Sequence, residues 1–193
     1  MNDELRQCWN QRYGETQLTQ QPARVLSDYL HLLPRHGKAL DLACGLGANA
    51  LLLGQQGLEI WAWDVSPVAI MRLDEAAQQA GLSVHTETRD VILQPPQSDS
   101  FDVIVVSRFL ERSLAPALQA ALRSGGVLFY QTFTKLRVTE GGPRNPHFLL
   151  EDNELLHLFA ALKVRVYREE GLLGELDSGF RNEAMLIAQK EVL

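Results

Sequence analysis

The stretch Lys38-Ala-Leu-Asp-Leu-Ala-Cys-Gly-Leu-Gly-Ala-Asn49 is the part of the sequence that decides the fold. Its first residues predict a short buried strand, for which Leu40 and Leu42 are suited, and a helix is expected from about Gly47 to Gln56. The small residues between them let backbone N–H groups approach a ligand, and the start of the helix adds a positive partial charge. Such a turn forms a nucleotide-type cleft in an open α/β sheet, although an ordinary tight connection has the same pattern.

The next predicted strand, Leu58-Glu-Ile-Trp-Ala-Trp-Asp64, ends in a carboxylate that follows Gly45 by about 20 positions. An acidic residue at this separation accepts hydrogen bonds from both hydroxyls of a ribose, so the two signals together indicate a cofactor that contains adenosine. The pattern Gly45-x-Gly47-x-x-Ala50 also fits the dinucleotide fingerprint. An NAD(P)-binding oxidoreductase therefore remains an alternative.

Asp41, near the carboxyl end of the first strand, favours a different cofactor. A carboxylate there would repel the pyrophosphate of a dinucleotide, whereas it would attract a cationic amine. S-adenosyl-L-methionine carries an α-amine, a sulfonium and a ribose but no phosphate. We therefore predict that Asp41 faces the amine of this cofactor and that Asp64 holds its ribose.

The segments Ala39-Leu-Asp-Leu-Ala-Cys-Gly-Leu-Gly47 and Trp63-Asp-Val-Ser-Pro-Val-Ala-Ile70 resemble motifs I and II of class I S-adenosylmethionine-dependent methyltransferases. The resemblance implies a doubly wound, Rossmann-like α/β sandwich with a seven-stranded, mainly parallel sheet and one antiparallel strand. The cofactor is then expected at the switch point between the first and fourth strands. Ala43 departs from the family pattern, which usually has glycine at that position.

Three further features are similar to those of the tellurite-resistance-type small-molecule methyltransferases. They are the short chain, the Trp9-Asn-Gln-Arg-Tyr13 stretch and the Arg144-Asn-Pro-His147 loop. The tryptophan, the arginine and the tyrosine of the first stretch share one face of a predicted helix. That helix is either a structural element anchored by two aromatic rings or part of a lid over the cofactor. The resemblance favours a lid formed by residues 1–21, with Arg12 near the cofactor carboxylate.

The composition is that of an ordinary globular protein, with 46% apolar and 22% charged residues in a chain of 193. This length suits one methyltransferase domain spanning residues 1–193. The net charge of −6 and the lack of a basic stripe argue against binding to duplex nucleic acid. No apolar run approaches about 18 residues, so no membrane span is expected, and the polar start has no signal-peptide core. Cys8 and Cys44 suggest neither a disulfide nor a metal site, so a reducing cytoplasm is the expected compartment.

The cofactor is expected to lie along the carboxyl ends of the first four strands. The family resemblance implies that Asp90, after the third strand, contacts the adenine amino group, although such a residue taken alone more often belongs to a turn. Ser107 and Phe109 follow the fourth strand and are expected to line the cleft. The complete set of predicted cofactor-binding residues is Trp9, Arg12, Tyr13, Asp41, Ala43, Cys44, Gly45, Gly47, Asp64, Val65, Asp90, Val91, Ser107 and Phe109.

The methyl group is expected to emerge where the fourth and fifth strands end. The segment Arg108-Phe-Leu-Glu-Arg112 at that place lacks the Asn/Asp-Pro-Pro-aromatic tetrad of the methylases that modify DNA bases or protein glutamine. The long loop from Thr134 to Leu150 follows the fifth strand and either reaches over the opening or is simply solvated. Cations in both segments would make the mouth positive and so favour an anionic acceptor. The predicted acceptor-binding residues are Arg108, Arg112, Tyr130, Arg144, Asn145 and His147.

These patterns together predict an S-adenosyl-L-methionine-dependent methyltransferase that acts on a small acceptor, either anionic or soft, such as a thiolate or a metalloid oxide. Such an acceptor needs no general base, whereas a phenol or an amine would use His147 or Tyr130. Two alternatives stay open besides the oxidoreductase. They are a methyltransferase that acts on protein or RNA and a catalytically silent, cofactor-binding partner subunit. The histidines have no metal-binding spacing, so no metal is expected.

Overall fold

The computed structural model of the protein describes residues 3–15 and 21–192, which form a seven-stranded sheet flanked by helices. The strands are β1 (Lys38–Leu42), β2 (Glu59–Asp64), β3 (Val84–Thr88), β4 (Phe101–Ser107), β5 (Leu122–Phe133), β6 (Lys163–Arg168) and β7 (Glu183–Gln189). The helices are α1 (Asp3–Glu15), α2 (Arg24–Ser27), α3 (Ala48–Gln55), α4 (Pro67–Gln79), α5 (Ala115–Ala121) and α6 (Glu154–Leu158).

The strand order in the sheet is β3-β2-β1-β4-β5-β7-β6, and β7 runs antiparallel to both of its neighbours. The other strands pair in parallel, so the predicted seven-stranded sheet with one antiparallel strand is confirmed. The order reverses between β1 and β4, where Leu42 lies opposite Val106. Open α/β sheets bind ligands outside the carboxyl ends of the strands at such a switch point.

Buried side chains alternate between the two faces of the central strands, as expected for a parallel sheet that is covered on both sides. On one face, Leu42 and Val106 belong to a core that includes Leu118 of α5. On the other face, Val105 belongs to a core that includes Leu53 of α3. Helices on both faces make the fold the doubly wound α/β sandwich that the sequence predicted.

The turn from β2 into α4 is fixed by local hydrogen bonds. The hydroxyl of Ser66 caps α4 by accepting the backbone N–H of Ala69 at 3.2 Å. Pro67 occupies the first turn of the helix, where its missing N–H group removes no hydrogen bond. This cap places Asp64 and Val65 at the carboxyl edge of the sheet.

Part of the predicted lid lies outside the described residues. Of residues 1–21, the structure describes α1 and residue 21, so the lid prediction for positions 1–2 and 16–20 lies outside the described residues. Within the described ranges, no helix has both the length and the apolar character needed to cross a membrane.

Candidate active site

A cavity of about 320 Å³ lies at the carboxyl ends of β1, β2, β4 and β5, and α1 contributes to its wall. It brings together a large part of the predicted site. The predicted residues that line it are Trp9, Arg12, Tyr13, Ala43, Cys44, Gly45, Asp64, Val65, Val91, Ser107, Arg108 and Phe109. The predicted residues that do not line it are Asp41, Gly47, Asp90, Arg112, Tyr130, Arg144, Asn145 and His147. The contacts of both groups with the cofactor or the acceptor stay predictions, and the structure shows what the residues of the second group contact within the protein.

The turn after β1 is tighter than most side chains allow. Ala43 has a φ of 56°, in the left-handed region that glycine occupies at the lowest cost, which explains why an alanine is unusual there. Gly47 has a φ of 78°, and a Cβ atom added to it would lie 2.2 Å from Cδ1 of Leu73. Gly47 therefore shapes the turn by packing against α4, and its direct contact with the cofactor stays a prediction.

Asp64 ties the turn after β1 to the turn after β2. Its Oδ2 accepts the backbone N–H of Gly45 and its Oδ1 accepts the backbone N–H of Ser66, both at 2.9 Å. Burial raises the pKa of this carboxyl, and the backbone hydrogen bonds oppose that shift. A carboxylate has about four acceptor positions, so lone pairs remain for a ligand in the cavity that Asp64 lines.

Asp41 is buried and does not line the cavity, so its contact with the cofactor amine stays a prediction. Its Oδ2 accepts the backbone N–H of Ala50 in α3 at 3.0 Å, and the residue is fully buried. Burial raises the pKa of the carboxyl to about 7, while hydrogen bonds from Asn49 and Ala50 oppose the shift. Asp41 instead fastens α3 to β1, because alternation along the strand turns its side chain to the face that α3 covers.

Asn49 is a residue of the cavity wall that the sequence analysis missed. Its Nδ2 donates to Oγ of Ser107 at 2.9 Å, and its Oδ1 accepts the backbone N–H of Ala23 at 2.8 Å. One buried amide thus connects α3, β4 and the segment before α2. A polar residue in the first turn of an otherwise apolar helix was the signal that could have identified it.

The aromatic face of α1 lies against the cavity. The rings of Trp9 and Tyr13 are stacked with centroids 5.5 Å apart, and the guanidinium of Arg12 lies 5.2 Å from the centre of the Trp9 ring. Burial raises the pKa of the Tyr13 hydroxyl far above its ordinary value, with the nearby Asp64 adding to the shift. Tyr13 is therefore a neutral wall residue at physiological pH.

Two contacts attach α1 to the cofactor side of the sheet. Oγ of Ser66 donates to Oδ1 of Asn10 at 2.6 Å, and the guanidinium of Arg72 donates to the backbone carbonyl of Tyr13. Ser66 and Arg72 belong to the N-cap and body of α4. The helix is thus held over the same turn that carries Asp64.

Asp90 is a turn residue that does not line the cavity, and its contact with adenine stays a prediction. Its Oδ1 accepts the backbone N–H groups of Ile92 and Leu93 at 3.0 and 3.4 Å. The neighbouring Arg89, which the sequence analysis missed, lines the cavity instead. Its guanidinium lies 4.0 Å from the centre of the Trp63 ring, so it presents a flat cationic surface at the end of β3.

Arg108 begins the segment after β4 in a strained conformation. Its φ is 53°, and its backbone N–H donates to the carbonyl of Gln131 in β5 at 2.8 Å. Non-glycine residues with positive φ often occur at functional sites. The side chain is half exposed, and its Nε lies 3.5 Å from Oε1 of Glu183.

Arg112 is not part of the cavity wall, and it acts as a clamp on the loop from Thr134 to Leu150. Its guanidinium donates to both carboxylate oxygens of Glu154, at 2.6 and 2.9 Å. It also donates to the backbone carbonyls of His147 and Leu149, at 2.7 and 3.0 Å. The ion pair neutralises Arg112, so the predicted contribution of this cation to a positive mouth is corrected.

Tyr130 is buried and does not line the cavity, so its role as acceptor ligand or general base stays a prediction. Its hydroxyl donates to the backbone carbonyl of Phe109 at 2.9 Å, and its ring packs against Phe159 on the α5 side of the sheet. Burial raises the pKa of the hydroxyl well above its ordinary value. Tyr130 therefore supports the segment that carries Phe109.

The three predicted acceptor residues of the loop from Thr134 to Leu150 do not line the cavity. Arg144 lines a separate surface depression, Oδ1 of Asn145 accepts the backbone N–H of His147 at 3.0 Å, and the His147 side chain is exposed. Their contacts with the acceptor stay predictions. The prediction that the loop reaches the opening holds for its other residues, since Gly142, Pro143 and Phe148 line the cavity.

The loop contributes an apolar wall that the sequence analysis did not anticipate. Phe133, at the end of β5, and Phe148 line the cavity together with Pro143. Gly142 has a φ of 73°, and a Cβ atom added to it would lie 2.7 Å from the Phe133 ring. The loop backbone therefore packs directly on that ring.

Comparisons with known proteins agree with this geometry. Residues 39–126 match the family model described as a methyltransferase domain. The probable S-adenosyl-L-methionine-dependent methyltransferase TehB of Haemophilus influenzae is 33% identical over 84 residues. That alignment covers 42% of this chain and 29% of the relative, so the chain spans less than a third of this curated protein. The methyltransferase match decides against the nicotinamide oxidoreductase that the glycine pattern left open.

Two solved structures share the fold over almost the whole chain. TehB of Haemophilus influenzae has a TM-score of 0.70 at 23% identity, covering 95% of this chain and 66% of that one. A protein studied in the conversion of a disulfide bond into a thioacetal group during echinomycin biosynthesis has a TM-score of 0.71 at 22% identity, covering 97% and 92%. Residues 39–126 therefore match a methyltransferase domain, part of the sequence is similar to the probable S-adenosyl-L-methionine-dependent methyltransferase TehB, and almost the whole chain shares the fold of these solved structures.

Proposed function

We propose that this chain, as one domain, transfers the methyl group of S-adenosyl-L-methionine to a small-molecule acceptor whose nucleophile is anionic or soft. The cofactor would supply an electrophilic methyl group on its sulfonium. The residues at the carboxyl ends of the strands would bind and orient both ligands and exclude water.

The chemistry of the cavity residues fits this cofactor. Asp64 offers acceptor positions for ribose hydroxyls, and Val65 and Val91 offer apolar contact for an adenine ring. The turn at Gly45 brings backbone close to the ligand with little side-chain bulk. Arg12, on the α1 side of the cavity, is a suitable partner for a carboxylate.

The proposed lid is the segment of residues 1–21, within which α1 is described. Trp9, Arg12 and Tyr13 contribute a wall of the cavity, and α1 is bonded to the turn that carries Asp64. Binding of the cofactor would add contacts to this face of the helix. The segment would thereby help to close the site against water.

The observation that carries the proposed acceptor class is the lack of a suitable base in the described part of the cavity wall. Its ionisable residues are Arg12, Tyr13, Cys44, Asp64, Arg89 and Arg108. Burial raises the pKa values of Tyr13 and Cys44, and Asp64 is bonded to two backbone N–H groups on the cofactor side. An acceptor that is already anionic at neutral pH, or a soft one such as a thiol, needs no help from such a wall.

Sulfur is the acceptor atom that we favour. The fold is shared with a protein from the conversion of a disulfide bond into a thioacetal group, which is sulfur chemistry. A thiolate is also the most nucleophilic ionised group that a small biological molecule commonly offers. The proposed compartment is a reducing cytoplasm, which would keep the free thiols of Cys8 and Cys44 reduced.

Calorimetry and turnover test this proposal together. The protein should bind S-adenosylhomocysteine and not NADH. It should then form S-adenosylhomocysteine from S-adenosyl-L-methionine when thiols are added, and do so much more slowly with amines. Turnover only with protein or RNA would favour the macromolecular alternative, and binding without turnover of any acceptor would favour the silent partner subunit.

A further inference from the structure

We infer that the acceptor is a thiol attached to a flat aromatic ring, and that Phe133 and Phe148 set this preference. The inference rests on the proposed methyl transfer and specifies the molecule that receives the methyl group. It differs from the metalloid oxide that the sequence resemblance suggests.

The two ends of the cavity differ in chemistry. The polar and cationic groups Arg12, Asp64 and Arg89 lie toward α1 and the ends of β2 and β3. The opposite end, beyond β4 and β5, is lined by Phe133 and Phe148 among other apolar residues. Since the cofactor accounts for the first end, the apolar end is the place for the acceptor.

The apolar end presents ring surface that nothing in the described protein fully covers. Phe109, Phe133 and Phe148 are each only half-buried although all three line the cavity, and Pro143 adds a fourth apolar surface. Aromatic side chains bind flat rings by offset or edge-to-face packing in addition to burying apolar area. A hydrated oxyanion has no apolar surface with which to replace water on these rings.

The wall is held in place by the loop that carries it. The guanidinium of Arg137 donates to the carbonyl of Pro143 at 3.1 Å, and Arg112 donates to the carbonyls on both sides of Phe148. Gly142 allows the backbone to pack on the ring of Phe133. The apolar surfaces are therefore preorganised, which lowers the entropic cost of binding a rigid ring.

Arg108 supplies positive charge at the same end of the cavity. Its guanidinium is half exposed, and its ion pair with Glu183 is long, at 3.5 Å. Glu183 also accepts from Nε2 of Gln131. Since this second bond would remain, Arg108 can turn toward an anionic sulfur without leaving Glu183 unpaired.

An aromatic thiol also suits a cavity wall that has no suitable base. Attachment to the ring lowers the pKa of a thiol below the value of about 8.5 that is typical of cysteine, so the thiolate is abundant at neutral pH. The lone pair of the thiolate sulfur forms the new bond to the methyl carbon. The carbon–sulfur bond of the sulfonium breaks and its electron pair stays on the departing sulfur, which becomes a neutral thioether. The thiol proton has already passed to solvent.

The test compares benzenethiol with 2-mercaptoethanol and tellurite as acceptors, with formation of S-adenosylhomocysteine as the readout. The variants are Phe133→Ala and Phe148→Ala, with Phe148→Leu as a conservative form. Glu140→Ala is the matched control, because that exposed side chain lies on the same loop and does not line the cavity. The measured quantity is kcat/KM for benzenethiol divided by kcat/KM for 2-mercaptoethanol, since the intrinsic reactivities cancel when variants are compared.

We expect each alanine variant to lower this ratio by about tenfold, which is the loss typical of removing a packed aromatic contact. Phe148→Leu should lower the ratio less, Glu140→Ala should leave it unchanged, and tellurite should be the poorest acceptor. An unchanged ratio in both alanine variants, or tellurite as the best acceptor, would overturn the inference while leaving methyl transfer to small acceptors intact. Binding of S-adenosylhomocysteine without turnover of any of the three acceptors would instead overturn the proposed function.

Discussion

The carboxylate of Asp64 accepts the backbone N–H of Gly45 at 2.9 Å, and this bond joins the two turns on which cofactor binding is expected to depend. The second carboxylate oxygen accepts the N–H of Ser66, which begins α4. Asp64 therefore has a structural role in the protein alone and a predicted role toward the ribose.

Replacing Asp64 should weaken every ligand that carries the ribose. Asp64→Asn turns one acceptor oxygen into a donor that faces a backbone N–H group, and Asp64→Ala removes both acceptors. Charged hydrogen bonds contribute roughly 1.5–3 kcal/mol, so affinity should fall by at least about tenfold. Calorimetry with S-adenosylhomocysteine and with adenosine should show the loss for both ligands. An unchanged dissociation constant in a folded variant would rule out the ribose contact.

Replacing Arg12 should weaken binding of the carboxylate end of the cofactor and leave binding of its adenosine end unchanged. Arg12→Ala removes the proposed partner of the carboxylate, which S-adenosylhomocysteine has and adenosine lacks. We expect affinity for S-adenosylhomocysteine to fall by about tenfold and affinity for adenosine to stay within about twofold. Arg6→Ala is the control, because Arg6 lies on the same helix and does not line the cavity. Equal losses for both ligands would mean that Arg12 only supports α1.

Asp41 should make the free energy of unfolding depend on pH. Its folded-state pKa is raised to about 7 by burial, so between about pH 4 and 7 it is protonated in the folded state and ionised in the unfolded state. The free energy of unfolding therefore falls as pH rises through this window, by at most about 1.4 kcal/mol per unit from this group. Asp41→Asn should remove that fall, which urea unfolding at several pH values measures.

The same variant tests the predicted contact between Asp41 and the cofactor amine. Because its carboxylate bonds to Ala50 and does not line the cavity, Asp41→Asn should change the affinities for S-adenosylhomocysteine and adenosine to the same extent. A stability difference from the native protein that is independent of pH would contradict the raised pKa. A loss of affinity for S-adenosylhomocysteine alone would support a contact between Asp41 and the cofactor amine.

Loosening the loop from Thr134 to Leu150 should raise the Michaelis constant of the acceptor. Arg112→Lys keeps the charge but loses the planar fork that binds Glu154 and the loop carbonyls. We expect the acceptor KM to rise about tenfold and the affinity for S-adenosylhomocysteine to stay unchanged. Arg144→Ala, on the outer surface of the same loop, should behave like the native protein. A larger effect of Arg144→Ala than of Arg112→Lys would contradict the observed geometry.

The cofactor side of the site could be predicted because strong local rules determine its structure. Strand alternation around Leu40 and Leu42, the small residues of the turn and the acid at the end of β2 each leave few alternatives. The same rules also predict the face of the sheet on which the Asp41 side chain lies. Its position between Leu40 and Leu42 puts it on the opposite face from them, beneath α3.

The acceptor half could not be predicted in the same way, because its geometry depends on contacts distant in the sequence. Arg112 and Glu154 meet across 42 positions, and nothing local to either residue indicates the pairing. The orientation of the loop from Thr134 to Leu150 follows from that pairing. The sequence favours polar residues such as His147 as acceptor-binding candidates. In the structure, Phe148 of the same loop lines the cavity and His147 does not.

We propose that the protein methylates an acceptor that reaches it already ionised. The pH dependence of kcat/KM for two aromatic thiols of different acidity, followed through S-adenosylhomocysteine formation, tests this proposal. If the cavity supplies no base, the inflection in the profile should move with the pKa of the thiol and match it in both cases. An inflection at one fixed pH for both thiols would show that a group of the protein removes the proton, so the acceptor would not arrive ionised.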